Sequence, residues 1–187
     1  MFSLLTYPTV ELGGKKLGVV GYGNIGQAVG QMARSFGMEI LIAARPGGES
    51  PIARDRVPLE RVLRDADVVS LHCPLTPQTK NLINAQTLSL MKPTAFLINT
   101  ARGALIDEAA LIDALRGKRI AAAALDVISK EPPPADHPII LAAKELDNLI
   151  VTPHTAWSAR ESRERLLVDV RENIEAFLRG LPRNLVS

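Results

Sequence analysis

Residues 21–26 read GYGNIG and stand between two stretches of different periodicity. Before them, KLGVVGYG (16–23) is a β-rich run that ends in glycines. After them, NIGQAVGQMARSFG (24–37) carries Ile25, Val29, Met32, Ala33 and Phe36 at helical spacing, with Gly37 as the stop. A strand that passes into a helix through three spaced glycines leaves few folds open. The first glycine allows a tight turn, the second lets backbone approach a pyrophosphate, and the third lets helix and strand pack closely. The helix N-terminus then offers free N–H groups and the positive end of its dipole to phosphates. The pattern predicts a dinucleotide site built from Gly21, Tyr22, Gly23, Asn24, Ile25 and Gly26. The alternative is a tight strand-to-helix turn with no ligand.

The rest of the chain repeats the alternation. Strands are expected at 39–44, 67–73, 94–100, 119–127 and 148–154, and helices at 59–66, 107–116 and 158–180. RIAAAALDV (119–127) would suit a helix by propensity alone, but its place after Gly117 in the alternation makes it a buried strand. The last helix sets Leu166, Val170, Ile174, Phe177 and Leu178 on one face. EPPPADHP (131–138) is expected to be stiff and non-helical. Repeated β–α alternation implies an α/β fold, a doubly wound and mostly parallel sheet that binds ligands beyond the carboxyl ends of its strands.

Composition narrows the function classes. With 187 residues the chain suits one domain and is short for two. A net charge of +2 is too small to argue for nucleic acid or an anionic membrane surface. The single cysteine, Cys73, excludes an internal disulfide and fits a reducing compartment. No apolar run reaches the ~18 residues of a membrane span. MFSLLTYPTV lacks the basic stretch and cleavage site of a secretion signal. A cytoplasmic protein without nucleic-acid, membrane or metal partners is expected.

A dinucleotide site normally places a carboxylate at the end of its second strand, to hold the adenosine ribose. Here Ala44 and Arg45 take that place, followed by Pro46, Gly47 and Gly48, while Glu39 sits at the wrong end of the strand. A guanidinium can hold a 2′-phosphate through its planar fork of donors, so acceptance of NADP(H) is predicted. Two alternatives stay open: a solvated Arg45, and Glu49 reaching back to the ribose and restoring NAD.

Three further residues lie where strands end. Arg102 follows TAFLINT (94–100) and can grip a carboxylate bidentately. Glu131 follows ALDV, and His154 ends NLIVTPH (148–154). A glutamate beside a histidine fixes its tautomer and raises its pKa, and the imidazolium can protonate a carbonyl oxygen as hydride reaches the carbon. Taken singly, these are a surface arginine, a loop glutamate and a capping histidine.

The stretches GYGNIGQAVGQMARSFGM, LHCPLTPQTKNLI, MKPTAFLINTARGALIDEAAL, ALDVISKEPPP and NLIVTPHTAW together resemble the D-isomer-specific 2-hydroxyacid dehydrogenases. ARPG, EPPPADHP and TPHTAWSARES are most similar to the glycerate dehydrogenase, or hydroxypyruvate reductase, branch. The resemblance implies a Rossmann cofactor domain, NAD(P) as cofactor and a small 2-keto or 2-hydroxy acid as substrate. It gives Arg102 the substrate carboxylate, His154 the acid/base role and Glu131 the support of the histidine. Asp126 goes to the nicotinamide carboxamide end, Thr100 and Ala101 line the cofactor beside Arg102, and Ala156 joins them near His154. Cys73, Pro74 and Thr79 border the adenosine half. His72 reads as structural, and Trp157 as either a pocket wall or core.

Family members carry a second, substrate-binding domain, mostly before the glycine loop. Only twenty residues precede that loop here, so a cofactor domain with most of the substrate domain absent is expected. Residues 1–12 read as a remnant or dimerisation segment, 13–180 as the dinucleotide-binding domain and 181–187 as a returning tail. Little turnover is expected from the chain alone, because a one-walled cleft admits water. Phe2, Leu4, Leu5 and Tyr7 suggest a homodimer contact, or else a local cover on the sheet. The competing reading of the whole is a non-catalytic module that binds dinucleotide and dimerises.

Overall fold

The structure, a computed structural model, describes residues 9–45 and 55–185. Phe2, Leu4, Leu5 and Tyr7, and Pro46, Gly47, Gly48 and Glu49, lie outside the described residues, and so do the expectations placed on them. The chain forms two compact units, Met1–Thr152 and Pro153–Ser187.

In the first unit the elements run β1 (Lys16–Val20), α1 (Asn24–Ser35), β2 (Glu39–Ile42), α2 (Leu59–Asp65), β3 (Val68–Leu71), α3 (Ala85–Leu88), β4 (Phe96–Asn99), α4 (Glu108–Arg116), β5 (Ala122–Leu125), α5 (Pro138–Glu145) and β6 (Leu149–Val151). The strands pair in parallel in the order β2-β1-β3-β4-β5-β6. The predicted α/β sheet is therefore observed, and it is wholly parallel. The alanine run is β5, with Ala123 and Leu125 pointing into the core. Side chains this small let the helices lie close to the sheet.

The winding reverses between β1 and β3. The β1–α1–β2 connection moves one way along the sheet, and every later crossover moves the other way. Right-handed connections then place α1 on one face and the later helices on the opposite one. The main core fills that opposite face, with Leu63, Leu71, Leu97, Leu111, Leu115 and Ile139 fully buried. On the α1 face, Leu17, Val19, Ala33 and Met38 form a smaller cluster. Beyond it, among the described residues of this unit, an apolar groove of about 610 Å³ stays open along β3–β6, with Val10, Leu12, Phe96, Ile98, Ala124 and Ile150 in its lining.

Two local expectations need correction. Ile25 and Met32 of α1 and Phe36 just beyond it are exposed, and the helix's buried face is Gly26, Gly30 and Ala33. The glycines bring the helix down onto the sheet and the Tyr22 ring, so the bulky residues are turned outward. The proline-rich stretch also gives way to a helix at its last residue, because Pro138 occupies the first turn of α5, where no N–H is needed. The 3₁₀ turn Gly103–Leu105 and the four-residue α3, closed by an Asn84–Thr87 capping box, were too short to leave a periodic signal.

The second unit is one long helix, α6 (Arg160–Leu178), with a tail folded back on it. Arg183 pairs with Asp169 and Glu172. Leu166, Val170, Ile174, Phe177 and Leu178 are all exposed. No helix among the described residues is long and apolar enough to cross a membrane.

Candidate functional site

One row of the sheet sets the site. Val20, Leu71, Asn99, Leu125 and Val151 pair in line across five strands. The chain therefore leaves these strands at one level, and the next residues (Gly21, His72, Thr100, Asp126 and Thr152) share one edge. On the other side of β1, Ile42 pairs with Val19, which brings Ala44 level with Gly21.

The glycine loop lies at the reversal point of the winding, where open α/β sheets bind ligands. Gly21 has φ 95°, and a β-carbon there would overlap the His72–Cys73 peptide. A β-carbon on Gly26 would overlap the Gly21 carbonyl, whereas one on Gly23 would meet nothing within 4 Å. The start of α1 has no side-chain cap and no acidic residue in its first turn. Its free N–H groups and dipole face open space beside Gly23, with Asn24 and Ile25 exposed next to it. This arrangement fits a pyrophosphate. Tyr22 turns away from the opening, toward Gly30 and the Arg34 guanidinium, which lies 3.4 Å from its hydroxyl.

On the adjoining strand, burial pushes the Cys73 thiol up and the His72 imidazole down. His72 Nε2 lies 2.9 Å from the Ser70 hydroxyl, in agreement with a structural role. The Thr79 hydroxyl donates to the Pro74 carbonyl at 2.7 Å and accepts from the Thr76 amide at 2.7 Å, which fixes the turn after Cys73.

At the end of β2, Arg45 is exposed and Ala44 is half-buried. Residues 56 and 57 return to this strand: the Ala44 amide donates to the Val57 carbonyl at 2.8 Å. That pairing brings in a second cation which sequence reasoning missed, with Arg56 Nη1 3.5 Å from the Ala43 carbonyl.

After β4, Arg102 is exposed on a turn held by another missed residue. Asn99 is fully buried, accepts from the Ala101 amide at 3.0 Å and donates to the Arg102 carbonyl at 2.9 Å. Its amide thus staples the turn around Thr100 and Ala101, while the Arg102 guanidinium bonds the Ala101 carbonyl at 2.7 Å. Beyond β5, buried Asp126 accepts a 2.5 Å hydrogen bond from the Thr152 hydroxyl. Glu131 is exposed and accepts from the Ile128 amide at 3.0 Å.

His154 belongs to the second unit. It is exposed and adopts a left-handed backbone, φ 51°, a conformation that non-glycine residues hold at a cost and that concentrates at functional positions. The Thr155 carbonyl accepts from Ser158, and Ala156 and Trp157 are exposed. Trp157 is therefore not a core residue.

Residues 3–156 match the model of the D-isomer specific 2-hydroxyacid dehydrogenase, NAD binding domain. A Haemophilus influenzae chain classed with the 2-hydroxyacid dehydrogenases is 49% identical over 96% of this chain and 57% of its own length. A hydroxypyruvate reductase of Blautia hydrogenotrophica is 43% identical over 97% of this chain and 56% of its own. Among solved structures, an acyclic imino acid reductase in complex with NADPH and D-Arg superposes with a TM-score of 0.86, at 34% identity, over 100% of this chain and 59% of that one. The chain thus spans a little over half the length of the curated relatives it matches. With the glycine cradle, the parallel sheet and more than half the chain matched, the protein belongs to the D-isomer-specific 2-hydroxyacid dehydrogenases, as their NAD-binding domain.

Proposed function

We propose that the domain serves hydride transfer between NAD(H) or NADP(H) and a small 2-keto acid, hydroxypyruvate or glyoxylate, with D-glycerate or glycolate as the reduced partner. The observation that carries the reading is the shared row, which brings the glycine cradle, the Arg102 turn and Asp126 to one sheet edge. Membership of the family supports the reaction class, and the likeness to a hydroxypyruvate reductase supports a small substrate.

When bound, the reduced nicotinamide supplies the hydride. Gly21, Tyr22, Gly23, Asn24, Ile25 and Gly26 hold the pyrophosphate through backbone and helix end. Cys73, Pro74 and Thr79 border the adenosine half, and Thr100, Ala101, Asp126 and Ala156 border the nicotinamide half. Arg102 grips the substrate carboxylate through its planar fork. Because Asn99 fixes the backbone of that turn, little ordering is left to do on binding. His154 donates a proton to the carbonyl oxygen during reduction and takes it back during oxidation. Glu131 is assigned the support of the histidine in that role.

Arg45, joined by Arg56, receives a 2′-phosphate. A relative of the same fold that holds NADPH supports this assignment. Fluorescence titration tests it. NADPH is expected to bind at least as tightly as NADH, and Arg45→Ala with Arg56→Ala to weaken NADPH about tenfold or more while sparing NADH. A preference for NADH of about a hundredfold (roughly 2.7 kcal/mol) overturns the NADP assignment.

For the reaction, Arg102→Ala is expected to leave dinucleotide affinity unchanged and to lower hydroxypyruvate-dependent kcat/KM by about 100-fold or more. An Arg102→Ala variant as fast as the parent sinks the catalytic reading.

A further inference from the structure

The loop that leaves β5 and returns to α5, residues 129–137, carries Glu131, and its two ends meet at one carboxylate. Glu108, in the first turn of α4, accepts from the Ser129 amide at 2.6 Å on one oxygen and from the Ser129 hydroxyl at 2.9 Å on the other. The second oxygen lies 3.7 Å from Nε2 of His137, at the far end of the loop. The His137 and Glu108 side chains are 7% and 12% exposed, so the Ser129 bonds to this carboxylate lie beside shielded groups, where hydrogen bonds to a carboxylate are strong. Nδ1 of His137 has no hydrogen-bond partner among the described residues. The described polar approach to the ring is the one from Glu108.

A second set of contacts meets at the same place. A β-carbon on Gly103 would overlap the Ile128–Ser129 peptide. The Ile128 amide in turn donates to Glu131 Oε1 at 3.0 Å. Three groups thus converge on one peptide unit and its flanks: Gly103 against it, Glu108 on Ser129 and Glu131 on Ile128. Gly103 and Glu108 belong to the segment that begins at Arg102, passes through the 3₁₀ turn and enters α4 at its Asp107 cap.

We infer that Glu108 is a positioning residue that closes the neck of loop 129–137 and fixes where Glu131 stands relative to the Arg102 turn. The functional meaning of that spacing rests on the roles proposed above for Arg102 and Glu131. Residues 130–136 are exposed and belong to no helix or strand. Holding such a loop by its ends confines the residues between them.

Amide hydrogen exchange on the full chain tests the clasp without any need for turnover. In Glu108→Ala, exchange at Ile128, Ser129 and Lys130 is expected to quicken about tenfold or more, with β1 and α1 amides unchanged. Glu108→Gln, whose amide oxygen still accepts from Ser129, is expected to recover most of the protection, and the shorter Glu108→Asp less. Ser129→Ala removes one donor only and is expected to shift Ile128 and Lys130 in the same direction by less, which keeps the inference testable if Glu108→Ala folds poorly.

In the reaction assay, Glu108→Ala is expected to lower kcat for hydroxypyruvate with dinucleotide affinity unchanged, and Glu108→Gln to recover it. Exchange within twofold of the parent in Glu108→Ala overturns the clasp. Quickened exchange in Glu108→Ala alongside an Arg102→Ala variant that reduces hydroxypyruvate as fast as the parent overturns the proposed reaction while the clasp stands.

Discussion

At Gly26 a β-carbon would overlap the Gly21 carbonyl, whereas at Gly23 it would point into open space. The two positions separate folding from binding. Gly26→Ala must push α1 off β1, and is expected to lower Tm and remove dinucleotide binding together. Gly23 has an ordinary extended backbone, φ −81° and ψ −162°, so Gly23→Ala is expected to keep the parent Tm and still lose dinucleotide affinity about tenfold or more, since the methyl occupies the approach to the phosphates. Thermal melts with and without NADPH check both. These glycines were legible in the sequence because a change of periodicity brackets them. Arg56, Asn99 and Glu108 were not, because each acts through a partner that local pattern cannot name. Arg56 reaches the end of β2 only because Val57 pairs there, Asn99 reads as one more residue of the strand expected at 94–100, and Glu108 meets Ser129 twenty-one residues on.

Between elements, Asp67 joins β1 to the segment before β4. It accepts from the Lys16 amide at 2.8 Å and pairs with Lys92 Nζ at 2.8 Å. Burial by itself would raise its carboxyl, but the bonds from Lys92 and Lys16 outweigh that and hold it below the ordinary value of 3.8. A carboxyl lowered in the folded state stabilises at pH values above its unfolded value, and the contribution fades as pH falls through the folded value. Asp67→Asn is therefore expected to cost about 1–2 kcal/mol at pH 7, with the difference from the parent shrinking below pH 3.8; urea denaturation at both ends of that window measures it. Most strands and long helices were readable from alternation, and β5 was recovered from its place in the order against its alanine propensity. What stayed hidden was α5, whose opening proline reads as loop although it suits a first helical turn, and α3, four residues held by a cap.

At the scale of the molecule, the cover that the described helices of the first unit give the sheet follows from its winding, which sends α1 to one face and the later helices to the other. Parallel sheets are ordinarily buried on both sides, yet Phe96 is 41% exposed and Ile150 62%. The folded chain is expected to brighten an apolar dye such as ANS, and Phe96→Lys with Ile150→Lys to dim it without a change in far-UV circular dichroism. Light scattering at micromolar concentration decides the homodimer expected from the N-terminal apolar residues; a monomer under all conditions removes it. The level row of strand exits has its own consequence. Each exit belongs to a different connection, so the chain beyond it can lengthen, shorten or exchange its side chains while the ladder beneath keeps its hydrogen bonds. Reactivity at this rim is thereby uncoupled from the integrity of the scaffold, and new specificities can be grafted there one connection at a time.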